Sequence, residues 1–216
     1  MSKLKDNLIF QIKQIVFGIQ DGLVTTIILT TTLAYVSNTR ILIISALTAG
    51  VGGAISMATG TYLGAKTQKD VLEIKVNNSK ERAEILIEEE LRAENMKKTD
   101  ITKFMDVIRD YPTFGKKIVS NLILGVDIDK IENPVIDATF MGISFLVGAI
   151  IPTLPYIFLK VPIALPLSII LSAITLLVIG LVKTVEKGQS RIKNGLEIMI
   201  IGMIAALLGY LIGRIF

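Results

Sequence analysis

Phe17-Gly18-Ile19-Gln20-Asp21-Gly22-Leu23-Val24-Thr25-Thr26 opens the first long apolar segment, which continues through Ile27, Ile28 and Leu29 to Val36. It sets a carboxylate inside a helix of membrane length. An ionisable side chain at that depth costs about 2.5–3.5 kcal/mol on insertion scales, so it faces a protein interior or a water-filled path and marks a site. With Ile15 near the interface, Asp21 lies roughly 9 Å further along the axis at ~1.5 Å per residue. Helical spacing puts Gln14, Gly18, Asp21, Thr25 and Thr32 on one side, a small polar stripe on an otherwise apolar helix.

The rest of the chain fits that beginning. Its 216 residues are 51% hydrophobic, with a mean hydropathy of +0.63, too apolar for an ordinary soluble domain and typical of a polytopic membrane protein. There is no cysteine and no histidine, which excludes disulfides, thiolate and imidazole metal sites and histidine proton shuttles. A metal bound here meets only oxygen and thioether donors. The net charge of +4 reports orientation in a membrane rather than nucleic-acid binding, and no basic patch interleaved with aromatics is present. Met1 to Asn7 lacks an apolar core followed by a small-residue cleavage site, so no cleaved signal peptide is expected.

Hydropathy and turn residues predict an all-α protein with five transmembrane helices. The first runs from about Ile15 to Val36 and is followed by the turn Ser37-Asn38-Thr39-Arg40; the second runs from about Ile41 to Leu63. Gly53, Met57, Gly60 and Gly64 share a face of that second helix, which lets a neighbouring backbone approach and presents a thioether. Lys66 to Asn133 carries most of the charge and is read as a helical insert outside the bilayer. It is expected to hold a continuation of the second helix over 66–98, a helix capped by Asp100 and a helix from Thr113 to near Gly125. So small a core would gain from a partner copy. The third segment opens at Asn133-Pro134 and reaches Phe158, with Pro152 and Pro155 near its far end. The fourth, Ala164 to Val182, is nearly all aliphatic and reads as lipid-facing scaffold; the fifth is Leu196 to Ile215. The expected organisation is 1–64 (two membrane helices), 65–133 (the insert) and 134–216 (three membrane helices). Basic residues of the short loops predict a cytoplasmic N-terminus and insert, an outside C-terminus, and residence in the cell membrane.

Asp21 is the strongest chemical signal. Asp137, just after a proline, reads as an interfacial or N-capping carboxylate, and Glu197 as a helix-start carboxylate favoured by the dipole. Asp21 together with Met57 joins a hard carboxylate to a polarizable thioether, which suits Fe²⁺ or Mn²⁺ better than Mg²⁺. Glu81, Glu84 and Glu88 lie three and four residues apart, so they could share a cation or form a solvated face with pairs such as Glu88–Arg92.

Gln20-Asp21-Gly22-Leu23-Val24-Thr25-Thr26 resembles the N-D-G-L-V-S-T stretch of the vacuolar iron transporter family. Ser56-Met57-Ala58-Thr59-Gly60 with Gln68-Lys69-Asp70 resembles its second-helix motif and the downstream Gln-x-Asp. Asn133-Pro134, Ser144, Gly148, Pro152 and Leu154-Pro155-Tyr156 resemble its third helix, and Gly195 through Gly213 its last. The resemblance implies a proton-coupled Fe²⁺/Mn²⁺ exporter acting as a homodimer, with Asp21 and Met57 as transport-site ligands between protomers, no tightly bound cofactor, and insert glutamates that collect metal. Two departures stand out. Thr61 replaces a frequent glutamate after the second-helix glycine, and Val119-Ser120-Asn121-Leu122-Ile123 stands where the family carries a Met-Met-x-x-Glu cluster.

Two functions follow as expectations. The first is a transporter exporting a divalent transition metal from the cytoplasm in exchange for protons. The second is a membrane-anchored metal-sensing or interaction module whose working part is the insert. With no phosphate-cradling glycine loop and no nucleophile–base constellation, an enzyme is not expected.

Overall fold

A computed structural model describes residues 2–36, 38–125, 133–183 and 190–215, and every regular element among them is an α-helix. In chain order these are α1 Ser2–Val36, α2 Thr39–Asn78, α3 Lys80–Ala93, α4 Lys98–Asp110, α5 Pro112–Leu124, α6 Pro134–Phe158, α7 Val161–Lys183 and α8 Arg191–Ile215. Five stretches are long and apolar enough to cross a membrane: Gln11–Val36, Thr39–Asn78, Pro134–Phe158, Val161–Val182 and Arg191–Ile215. The all-α, five-span reading therefore holds. The basic loop expected before the fifth segment falls largely on 184–189, outside the described residues, as does the end of the insert at 126–132.

The chain divides into two compact units, Met1–Tyr62 with Pro134–Phe216, and Leu63–Asn133. The first is built around α1, and glycine makes it possible. Inside a bilayer no hydrophobic force drives helices together, so packing depends on close backbone approach. A Cβ on Gly18 would lie 2.8 Å from the Met141 carbonyl oxygen, one on Gly22 would fall on the Phe145 carbonyl, and one on Gly148 on the Ile19 carbonyl. The order of these contacts makes α1 and α6 parallel neighbours. At the far end of α1, Gly209 and Gly213 of α8 sit against the backbone of Ile28 and Thr32. The Thr31 hydroxyl lies 3.3 Å from the Ala206 carbonyl and that of Thr32 2.8 Å from the Gly209 carbonyl across the same seam, each sharing its one proton with a carbonyl of α1 itself.

Helix α7 runs antiparallel to α8, with Gly180 against Gly195 and Gly202 against Leu176. Much of it lies open, as expected of a lipid-facing scaffold, but one face does not. Ala164, Ser168, Ser172 and Leu176 are fully buried, and Leu176 packs with Leu23 of α1 and Ile198 of α8. One face of α7 is core and only the other is free. Helix α2 packs antiparallel on α6, where Gly53 meets the Phe145 ring and Gly142 lies 3.3 Å, measured from a built Cβ, from the Ala54 carbonyl.

The second unit packs α3, α4 and α5 through Ile87, Ile101, Met105 and Ile108, and a smaller group of Val76, Ala83 and Val119. Its helix boundaries differ from the expected ones for local reasons. The single helix over 66–98 is interrupted at Ser79 (φ −94°, ψ 1°), after Asn77 and Asn78, residue types whose side chains compete for backbone hydrogen bonds. Lys97, not Asp100, is the N-cap of α4; Asp100 stands in the first turn, where its charge favours the helix start. Pro112 does not merely end α4. It begins α5 as the first helical residue, with Tyr111 rather than Thr113 at the N-cap, since a proline there forfeits no bond the helix would make. Gly125 closes α5 with φ 60°, a left-handed cap that glycine adopts without strain.

Candidate functional site

Asp21 is placed by its two glycine neighbours. Gly18 and Gly22 are buried on α6, and Leu23 is buried on α7 and α8, which turns residues 17, 21 and 25 to the remaining face of α1. That face is open: Phe17 is 53% exposed, Thr25 is exposed, and Asp21 between them is half-buried. The stripe expected from helical spacing is thus split by the fold. Gly18 and Thr32 serve packing seams, and only Asp21 and Thr25 remain on the uncovered side.

Met57 is held at a related depth because one residue anchors both helices. Phe145 of α6 receives Gly22 of α1 at its carbonyl and Gly53 of α2 on its ring. Met57 is four residues from Gly53, about 6 Å along the axis, and packs on the Ala54–Phe145–Ala149 group while half-buried. Of the glycine face expected on α2, Gly53 is therefore a packing position, whereas Gly60 and Gly64 meet nothing within 4 Å among the described residues. Beside Gly60, a shallow groove lies between Ala58, Thr59 and Tyr62 of α2 and Val135, Ala138 and Thr139 of α6.

Asp137, read from the sequence as an interfacial or capping carboxylate, is withdrawn from solvent by packing. It stands in the first turn of α6 and is 2% exposed, so a second carboxylate is withdrawn from solvent in the same unit as Asp21. Glu197 is exposed, as a helix-start carboxylate should be.

Among the described residues no three Asp or Glu side chains converge closely enough to hold a metal ion. In the insert, Glu84 accepts two hydrogen bonds from Arg109, from Nη2 at 2.8 Å and from Nε at 3.2 Å. This hydrogen bond and the charge behind it hold the Arg109 guanidinium above its ordinary range. Glu88 accepts from Arg92 at 2.6 Å, the (i, i+4) pair anticipated from spacing. Glu81 is exposed. Two of the three glutamates thus already carry a cationic partner.

Replacing Arg109 by alanine should leave the insert folded, because the guanidinium is exposed, and free a Glu84 carboxylate oxygen for cations. Mn²⁺ titration of the full chain in an Asp21→Asn background is expected to show several-fold tighter binding in the Arg109→Ala variant. Unchanged binding removes Glu84 from any metal-collecting role.

The VIT family model matches residues 12–214 of the chain. The chain is 28% identical to Protein CCC1 of Saccharomyces cerevisiae over 211 residues, covering 90% of this chain and 66% of the yeast protein. It is 26% identical to the vacuolar iron transporter cccA of Arthroderma benhamiae, with 88% and 74% of the two chains covered. With vacuolar iron transporter 1 of Eucalyptus grandis the identity is again 26%, over 90% and 82%.

Proposed function

Because the chain belongs to the VIT family, we propose that it carries ferrous iron, and Mn²⁺ beside it, out of the cytoplasm in exchange for protons. Metal transport is the activity that its relatives' names state. Those names are vacuolar and do not support the cell membrane expected from the sequence; the chain is a multi-pass membrane protein, and the reading keeps its N-terminus and insert on the cytoplasmic side.

The observation that carries the reading is the half-buried Asp21 on a face of α1 that its own chain leaves open. In a bilayer a carboxylate cannot be left to lipid, and one carboxylate with one thioether neither neutralises nor encloses a divalent ion. A second copy across a two-fold axis resolves both problems. Two Asp21 carboxylates balance the charge of M²⁺, and two Met57 thioethers favour a transition metal over Mg²⁺. Isologous contact brings the same residues from both sides, and open small residues such as Gly52 and Gly60 permit close approach. Protons replace the metal on Asp21 after release, which returns the carboxylates across the cycle in neutral form. The insert, residues 65–133, contributes at most Glu81 directly, because Glu84 and Glu88 are paired with Arg109 and Arg92 and would have to exchange those partners for a metal.

Substituting Met57 by leucine keeps volume and removes the sulfur. In proteoliposomes Met57→Leu is expected to lose about tenfold of its preference for Fe²⁺ over Mg²⁺, roughly 1.4 kcal/mol. Undiminished selectivity would take the thioether out of the site. Metal-dependent behaviour residing wholly in the insert, with Asp21 dispensable, would favour the sensing-module reading.

A further inference from the structure

Five hydroxyl side chains meet inside one protomer, on the side of α1 turned away from Asp21. Thr26 and Thr30 of α1, Tyr156 of α6, and Ser168 and Ser172 of α7 are each no more than 1% exposed. Their levels follow from the packing. Leu23 touches Leu176, so one turn onward in each antiparallel helix Thr26 comes level with Ser172. The Tyr156 hydroxyl is faced by those of Ser168 and Thr30.

Several hydroxyls in the membrane segments are satisfied at home. Thr31, Thr32, Thr153 and Thr175 each donate to the carbonyl four residues back, at 2.7 to 3.1 Å, as threonine in apolar helices does. Ser168 donates to the Pro152 carbonyl at 2.7 Å. The side-chain oxygens of Thr26 and Ser172 have no hydrogen-bond partner among the described residues, and the Tyr156 hydroxyl has only the Ser168 and Thr30 hydroxyls beside it. Two unpaired hydroxyls in one apolar interior are costly, about 1–3 kcal/mol each. Pro152 and Pro155 lack N–H groups and deprive the Gly148 and Ile151 carbonyls of their helical donors. Beyond Tyr156, Tyr35 stands edge-to-face with Tyr210 at 5.1 Å between ring centroids, and Arg214 donates to the Tyr210 hydroxyl at 3.4 Å. Tyr35 and Arg214 are exposed, so polar groups continue from mid-segment to the C-terminal end of α8.

We propose that the α1–α6–α7 interior of each protomer is a hydrated, hydroxyl-lined path open toward the C-terminal end of α8, and that it carries the exchanged protons apart from the metal. The ligand is water, because no carboxylate lies among these five side chains and a bare cation there would be uncompensated. Donors and acceptors without protein partners match water, which needs two to four polar neighbours. The path reaches the depth of Thr26, five residues or about 7–8 Å beyond Asp21 along α1. Its use by protons rests on the exchange proposed above.

The chain contains no cysteine, so a single introduced thiol reports water access without background. In proteoliposomes, Ag⁺ supplied from the aqueous phase should mask Ser172→Cys and Thr26→Cys at least tenfold faster than Leu176→Cys, an equally buried position in the neighbouring apolar group. Equal and slow masking of all three would overturn the path. Tyr156→Phe should reduce Fe²⁺-driven proton movement about tenfold with Fe²⁺ binding unchanged. Full proton movement in Tyr156→Phe would show instead that this hydroxyl takes no part, and would overturn the route. A wild type that moves metal without protons defeats the exchange reading by itself; with the thiols open to Ag⁺ it leaves a wet interior that is not a proton route, which also overturns the proposal.

Discussion

Asp21→Asn is expected to reduce metal flux by at least a hundredfold while leaving a folded, monodisperse protein. The amide has nearly the carboxylate's shape, so contacts of Phe17, Thr25 and the open face of α1 are unchanged. What it loses is charge. In a two-fold site the substitution occurs twice and removes both negative charges facing the divalent ion, and hydrogen bonds to an uncharged amide do not replace them. Nor can the amide take up a proton at working pH, so the exchange half of the cycle fails with the metal half. The measurement is Fe²⁺ uptake into proteoliposomes beside size-exclusion profiles of the same preparations. Transport at the wild-type rate would place the site elsewhere, with Asp137, the other withdrawn carboxylate, as the next residue to test.

The second large effect is structural. Gly22→Val and Gly148→Val are each expected to cut the yield of monodisperse protein more than tenfold. A Cβ at either position lands on a backbone carbonyl of the facing helix, Phe145 for Gly22 and Ile19 for Gly148. Backbone cannot rotate aside as a side chain can, so α1 and α6 must separate along the seam that sets the depth of Asp21. Overpacking in a yielding core costs about 1–3 kcal/mol, and this seam does not yield. Gly52→Ala is the control, because nothing lies within 4 Å of its built Cβ among the described residues, and its protomer should fold as the wild type does. Equal yields for all three would mean that the α1–α6 contact is not what holds the bundle.

How far the sequence carried the reading depended on whether a feature was local. The five spans were legible because each is a long apolar run with charged or turn-forming ends. Asp21 was legible because a carboxylate within such a run is conspicuous. The role of α7 was not, since an aliphatic helix gives the same pattern against lipid or against protein; only Ser168 and Ser172 hinted at a buried face. Asp137 looked ordinary because a carboxylate in a first turn is favoured by the helix dipole alone, and its burial depends on packing no spacing rule encodes. Glu88–Arg92 could be read from an (i, i+4) spacing, whereas Glu84–Arg109 joins residues 25 apart and needs α3 and α4 to meet. The buried hydroxyls of Thr26, Tyr156 and Ser172 belong to three helices and become a group only in the fold.

These strands meet at one claim, that the chain moves a divalent metal across the membrane at Asp21 using the proton gradient. The most direct test is radiolabelled Fe²⁺ accumulation in proteoliposomes of the wild type with an imposed pH difference. The account predicts uptake into the acidic lumen, collapse when the gradient is dissipated, and acidity-driven loss of protons from the lumen as iron enters. No accumulation of any divalent metal by a folded preparation, with or without the gradient, would contradict it.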